Sequence, residues 1–460
     1  MDAVTSRLTY AFLVALIVIT PWPLGTRLPW VSMLTVVAVT GVGITWLMTS
    51  LILGHRIRTH PLMAPIAVFL IWTGLQWILG WTIYAQATAI EWVRWFSYAV
   101  VFALTVQVAR QGSRARGMVR AIAASGIAVG IFGLVQFLTW NGRMFWVYDP
   151  PYTGNPFGPF NNRNYFAGYL IVTLAVLLAL LLGRGLQRNR AVYAYLGWLA
   201  GLSVLVSLSR GGAVALAAVL GTTIVLGPAS SGETRDDRAR PGERGPTSAD
   251  LSRRRSGPHR NRRALIPRLT EVRLSARVLL VVGVVAAVLV GLAGLQQADR
   301  VIASLETIWN FASEVSFQGR WTIWRDTTSM IAEHPWRGFG LNTFGWVLPR
   351  FQSEPNSLIF MHAHNEYLEM IAETGAIGGA IAIWFLAIFF LETRRRLQAA
   401  RQPWERAVHL AGLAAWVGIL VFSLTDFPTI IPAINYALAI LAALATTEIE
   451  TSGRHRSVGG

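Results

Sequence analysis

HAHNEYLEMIAETGAIGGAIAIWFLAIFFL, residues 362–391, sets two histidines, an asparagine and three glutamates directly ahead of an apolar run. The polar half would suit a site in water; the apolar half, 374–391, is long enough to enter lipid. Runs of that kind recur along the 460 residues, and twelve read as membrane spans: 8–20, 30–53, 62–80, 90–109, 119–139, 164–183, 191–208, 212–227, 278–295, 374–391, 408–424 and 430–447. Each is expected to be a helix, because lipid leaves backbone polar groups no partner outside their own segment. With 53% hydrophobic residues, 14% charged and 19 tryptophans, the chain fits an all-α, polytopic transmembrane bundle.

Charge fixes the expected orientation. All 40 basic residues are arginine, and 30 of them fall in the termini and the loops of one side. The positive-inside rule makes that side, with both termini, cytoplasmic. The net charge of +17 is then a product of topology and requires no nucleic acid. Thirteen of the arginines sit in 228–277, a Gly-, Pro- and Ser-rich stretch that reads as a disordered basic cytoplasmic loop. The expected organisation is spans one to eight over 1–227, that loop, span nine at 278–295, a large partly helical extracytoplasmic loop at 296–373, spans ten to twelve over 374–447, and a tail at 448–460. The first apolar stretch has no A-x-A site after it and reads as a retained span. Zero Cys excludes disulfides and thiol chemistry.

A polar loop as long as 296–373 between apolar helices is expected to carry function. Within it, GRWTIWRDTTSMIAEHPWRGFG (319–340) predicts one amphipathic helix with Trp321, Trp324, Thr328 and Ile331 on a single face, ended by Pro335, Gly338 and Gly340. The tryptophans suit head-group depth. Arg320 lies in its first turn, where snorkelling and a functional role compete. Arg210, in SLSRGG between the seventh and eighth spans, has no acidic residue between Asp149 and Glu233 to pair with. It needs an anion from elsewhere or serves as a snorkelled anchor. Arg94 has Glu91 one turn before it, a structural pair.

In the opening stretch Asn365 is a candidate N-cap for a helix carrying Glu366, Glu369 and Glu373 as an i, i+3, i+7 stripe. The positive end of that helix dipole points at the loop, where an anion is welcome. His364 there is placed to take a proton near neutral pH. A metal held by His362, His364 and Glu366 is the rival reading; their i, i+2, i+4 spacing suits a strand better than a helix, and no metal is expected.

Together these segments resemble the O-antigen ligase and O-antigen polymerase family of integral membrane glycan transferases. His364-Asn365, then Gly375 and Gly378, match its loop signature; GRWTIWRDTTSMIAEHPWRGFGLNTF looks like its Arg-bearing helix and following turn; GPFNNRNYFAGYL (158–170), SLSRGG and LTDFPTIIPA (424–433) are similar to further family segments. The resemblance spans about 140–440. It implies a GT-C-like bundle in the bacterial inner (cytoplasmic) membrane, among membrane lipids, with its active site on the periplasmic face. It further implies an inverting, metal-independent transfer without cofactor, from an undecaprenyl-diphosphate-linked glycan to a hydroxyl on a glycan or lipid A core. On it, His364 is the base and Arg320 and Arg210 neutralise the diphosphate, while Asn365, Arg325, Arg163, Asn164, Tyr367 and Asp426 shape the site.

Ligase, polymerase and transfer to a protein acceptor stay open, since the same chemistry serves all three. A twelve-span secondary transporter is the rival from another class, yet the long cytoplasmic loop follows span eight and no 6+6 repeat is evident. A scaffold protein would leave Arg210 and Arg320 unexplained. Transferases with acidic residues in the first external loop are disfavoured, because PWPLGTRLPW (21–30) holds none.

Overall fold

The computed structural model describes residues 3–149, 156–182, 190–227, 315–353 and 360–450. They form α1 (Ala3–Ile19), α2 (Pro29–Ile52), α3 (Met63–Ile78), α4 (Ala85–Ala109), α5 (Gly112–Leu138), α6 (Arg163–Leu182), α7 (Arg190–Val206), α8 (Arg210–Leu226), α9 (Val315–Glu333), α10 (Phe344–Val347), α11 (Glu366–Ala399), α12 (Pro403–Phe422) and α13 (Pro432–Thr446). Among the described residues extended pairing is limited to isolated bridges. The expected ninth span, the 228–277 loop and residues 451–460 of the tail lie outside the described residues.

Six helices, α2, α4, α5, α6, α11 and α12, are long and apolar enough to cross a membrane; α1, α3, α7, α8 and α13 are shorter apolar helices. The packing follows from how apolar side chains are distributed. A helix apolar on every side has no face to turn outward and belongs inside. That is α6: fifteen of its twenty residues are buried, and α5, α7, α8 and α12 pack around it. The α2 helix instead turns Leu34, Val37, Ile44 and Ile52 outward, a surface that water would penalise and lipid tolerates.

Contacts between chain-distant residues define two ends of the bundle. At one, Arg114 reaches Ser6, Arg406 donates to Leu226 O, Arg396 donates to Thr446 O, and Glu450 N donates to Arg110 O. At the other, Arg27 reaches Tyr165, Asn164 reaches Asp426, and Ile83 N donates to Phe339 O. The second end also carries the turn before Arg210, because a Cβ on Gly211 would press on Phe422 and Thr425. Glu91 and Arg94 form the expected pair at 2.9 Å.

On α9 the buried face is Ile323, Asp326, Thr327 and Met330, while Trp321 is 61% exposed. Trp321 therefore looks away from the protein, whereas Trp324 on the same expected face is half-buried with its Nε1 donating to Ala363 O at 2.9 Å, and Ile331 packs beside the buried stripe. As expected, the helix stops before Pro335, and Gly338 and Gly340 take positive φ of 68° and 108°.

The α11 helix begins at Glu366, earlier than the expected span at 374, but it is broken at Gly375 (φ 69°, ψ −177°). The broken turn exchanges backbone hydrogen bonds with the 334–340 turn. Phe339 N and Gly340 N donate to Ala372 O and Glu373 O, and Ala376 N and Ile377 N donate to Pro335 O and Trp336 O, at 2.8–3.4 Å. Trp72 Nε1 and Gln76 Nε2 on α3 add donors at 2.9 Å to Thr374 O and Glu373 O. The carbonyls freed by the break are thereby satisfied, which an apolar surrounding requires. A Cβ on Gly375 would lie 2.1 Å from Trp336 O, so only glycine fits this seam.

Candidate active site

The site grows from the start of α11. Asn365 takes extended φ/ψ (−157°, 105°), and its Oδ1 accepts from Tyr367 N and Leu368 N, both at 3.1 Å, as a helix cap should. Its Nδ2 donates to Leu424 O at 3.2 Å. Glu366 N donates to Ser423 O at 3.0 Å. The Glu366 carboxylate accepts from the Ser423 hydroxyl, the Thr429 hydroxyl and Thr429 N, the last at 2.7 Å. Tyr367 OH donates to Leu420 O at 2.6 Å. These bonds stitch the start of α11 to the turn between α12 and α13.

That turn presents Asp426 and Phe427. The His362 ring stacks on Phe427 at 4.4 Å, and the His364 ring meets its edge at 4.7 Å. His362 is held in turn by Glu369, whose Oε1 lies 2.8 Å from Nδ1 and whose Oε2 accepts from Ala363 N at 2.8 Å. Glu373 accepts from Asn342 N and Phe344 N at 2.7 and 3.0 Å. Each member of the acidic stripe therefore fastens a different segment to α11. The trio proposed for a metal does not converge: His362 is engaged by Glu369, and Glu366 faces the 423–429 turn. No group of three His, Cys, Asp or Glu able to hold a metal forms among the described residues.

Charge converges on Asp426. Its buried carboxylate accepts from Asn164 Nδ2 and from Phe427 N, and it feels the Arg320 guanidinium and His362. Burial raises this carboxyl above the usual range, while those hydrogen bonds and charges pull it back. Asp426 also attracts Arg163, which opposes Arg210 as a like charge. His364 feels Arg320 directly. Burial first, then Arg320 and His362, push its imidazole down to about 4. A desolvated ring beside a guanidinium resists a second positive charge, which works against the expected uptake of a proton near neutral pH. Its Nδ1 is buried and has no hydrogen-bond partner among the described residues.

Backbone strain marks the same end. His364 has φ 52° and Leu208, two residues before Arg210, has φ 54°. Left-handed conformations of residues other than glycine persist only where their surroundings impose them, and they gather at functional sites.

A family model described as O-antigen ligase matches residues 195–383. This match supports placing the chain in the O-antigen ligase and polymerase family. No curated protein matches the chain significantly. The O-antigen ligase match contains Arg210, Arg320 and His364, whereas Arg163, Asn164 and Asp426 lie outside it. The fold nonetheless brings those outlying residues near the matched ones: α6 packs on α8, which begins at Arg210, and Asp426 lies within the field of Arg320.

Of the other residues singled out from sequence, Arg325 is exposed and donates to Ser353 Oγ at 2.6 Å, a surface contact. Tyr367 is committed to α12. The sequence reading missed the roles of Glu366, Glu369 and Phe427, and it passed over Arg27 entirely. Arg27 donates to Tyr165 OH and lies over that ring at 4.9 Å from its centroid, and Tyr165 abuts Phe427 at 5.9 Å. Its one sequence signal was being a lone cation in a short external turn.

Proposed function

We propose that the chain is a membrane glycosyltransferase of the O-antigen ligase or polymerase type. It moves a glycan from undecaprenyl diphosphate to a hydroxyl acceptor by inverting single displacement. It does so as a GT-C-like bundle of twelve spans in the bacterial inner membrane, both termini cytoplasmic, with the His364 end facing the periplasm. The acceptor hydroxyl gives its proton to His364 as its oxygen attacks the anomeric carbon, and the bond from that carbon to the diphosphate oxygen breaks. The charge left on the diphosphate meets Arg320 and Arg210, with Arg163 beside them.

The observation that carries this reading is the buried His364 imidazole set 4.7 Å from the Phe427 ring within the field of Arg320. A general base must start neutral. An anionic donor arriving at Arg320 offsets the charge that depresses His364, so the ring gains proton affinity when the donor is bound. Glu369, through Ala363 N, and the Asn365 cap fix the backbone on either side of it.

Reconstitution in vesicles with an undecaprenyl-diphosphate-linked glycan and a hydroxyl acceptor tests the proposal. His364→Ala is expected to abolish transfer while the protein stays folded in the bilayer. Near-normal transfer by that variant would remove the base. Which glycan accumulates on the carrier after gene deletion separates the acceptors: single repeats point to polymerase, long unattached chains to ligase, and loss of glycan from proteins to a protein acceptor.

A further inference from the structure

The turn between α1 and α2 is unusual backbone. Leu24, Gly25 and Thr26 take φ of 55°, 68° and 64° in succession. Two of the three carry side chains, and such residues cost about 1–3 kcal/mol each in the left-handed region. The turn is closed by Gly25 N donating to Pro21 O at 3.0 Å, Thr26 N to Pro23 O at 2.9 Å and Thr26 Oγ1 to Thr20 O at 2.7 Å. It is also wedged: a Cβ on Gly25 would lie 2.6 Å from Phe160 and 2.7 Å from Ile431. Phe160 precedes Arg163 and Asn164, and Ile431 follows Asp426 and Phe427. The turn is thus gripped by the two segments that carry those site residues, and the residue it delivers is Arg27.

A snorkelling arginine needs none of this, since any helix end with a flexible side chain reaches the head groups. Arg27 is instead half-buried, tied to Tyr165 OH and stacked over the ring. The Arg94–Glu91 pair shows how the chain neutralises an arginine when the role is structural; among the described residues Arg27 has only a phenol. We propose that Arg27 is a further diphosphate-binding guanidinium of this site, held in register with Arg163 and Asp426 by the left-handed turn. The inference rests on the diphosphate donor of the function proposed above. A guanidinium fork presents several donors to phosphate oxygens while one still serves Tyr165.

The test uses the purified full-length protein and undecaprenyl diphosphate in nanodiscs, read by tryptophan fluorescence, with thermal midpoints recorded alongside. Arg27→Gln is expected to weaken the apparent affinity roughly tenfold or more, the usual worth of a charge-assisted hydrogen bond. Arg27→Lys should fall between, because it keeps the charge and loses the fork. Tyr165→Phe leaves the guanidinium in place and is expected to lose no more than about threefold. In transfer assays Arg27→Gln should raise the donor KM with kcat little changed.

If Tyr165→Phe reproduces the Arg27→Gln loss, or Arg27→Gln binds like the parent, Arg27 merely orders the loop and the inference is overturned. If Arg27→Gln fails to fold, Arg27→Lys decides: parental affinity in a folded protein overturns the inference. Arg320→Gln separates the two readings. Loss there with none at Arg27 removes Arg27 alone, whereas no binding by the parent protein removes the diphosphate reading itself.

Discussion

At the scale of single residues the clearest consequence is for pH. The ordinary imidazole value is near 6.5, and His364 is held near 4. Between those values the unfolded chain binds a proton that the folded chain refuses. Stability from this group is therefore complete above pH about 6.5 and declines as pH falls towards 4. Thermal midpoints of the parent and of His364→Ala, followed from pH 7.5 to 4.5, are expected to draw together or cross as the parent loses stability faster; parallel curves would mean the ring titrates normally. Glu369 makes a second case. It fixes both His362 and the Ala363 N–H just ahead of the left-handed His364. Glu369→Gln keeps the shape and removes the charge from two hydrogen bonds, so kcat should fall about tenfold or more with donor affinity retained. An unchanged kcat would show that the ring needs no such support.

Elements add constraints that no residue carries alone. The seam between the 334–340 turn and the α11 break tolerates glycine only, and Gly375→Ala is expected to lower the thermal midpoint sharply and to lose activity. Gly379→Ala, four residues on, meets nothing nearer than Ile371 Cγ1 at 3.6 Å and should be tolerated. Equal effects at the two positions would deny the seam its role. This contrast also shows where the sequence was readable. Apolar runs betray helices, because burial in lipid needs length and composition only, and Asn365 betrays a cap because that need is local. Gly375 matches the loop signature, but its left-handed role depends on a turn some forty residues earlier in the chain. The glutamate stripe was seen as a stripe, but its partners belong to three different segments, and nothing in a helical spacing names them. Arg27 escaped for the same reason, since its partner Tyr165 lies on α6.

Across the whole molecule, the two ends of the bundle carry the orientation. The chain has no cysteine, so an introduced one is the sole thiol. Val147, 76% exposed, lies in the loop between α5 and α6 at the His364 end. Arg56 is exposed in the loop between α2 and α3 at the other end. In intact spheroplasts an impermeant maleimide is expected to label Val147→Cys and to reach Arg56→Cys only after the membrane is opened. The reverse pattern would turn the protein over and take the proposed site away from any periplasmic acceptor.

The shared hydrogen bonds at Gly375 also bear on biogenesis. A ribosome delivers the 334–340 turn well before α11 emerges, so during synthesis that turn waits with its donors and acceptors unmatched. A chain truncated before Glu366 would display this unfinished edge to the quality-control proteases of the cell. Assembly of the candidate site, which also draws on Asp426 and Phe427 beyond α12, therefore comes last in the order of synthesis.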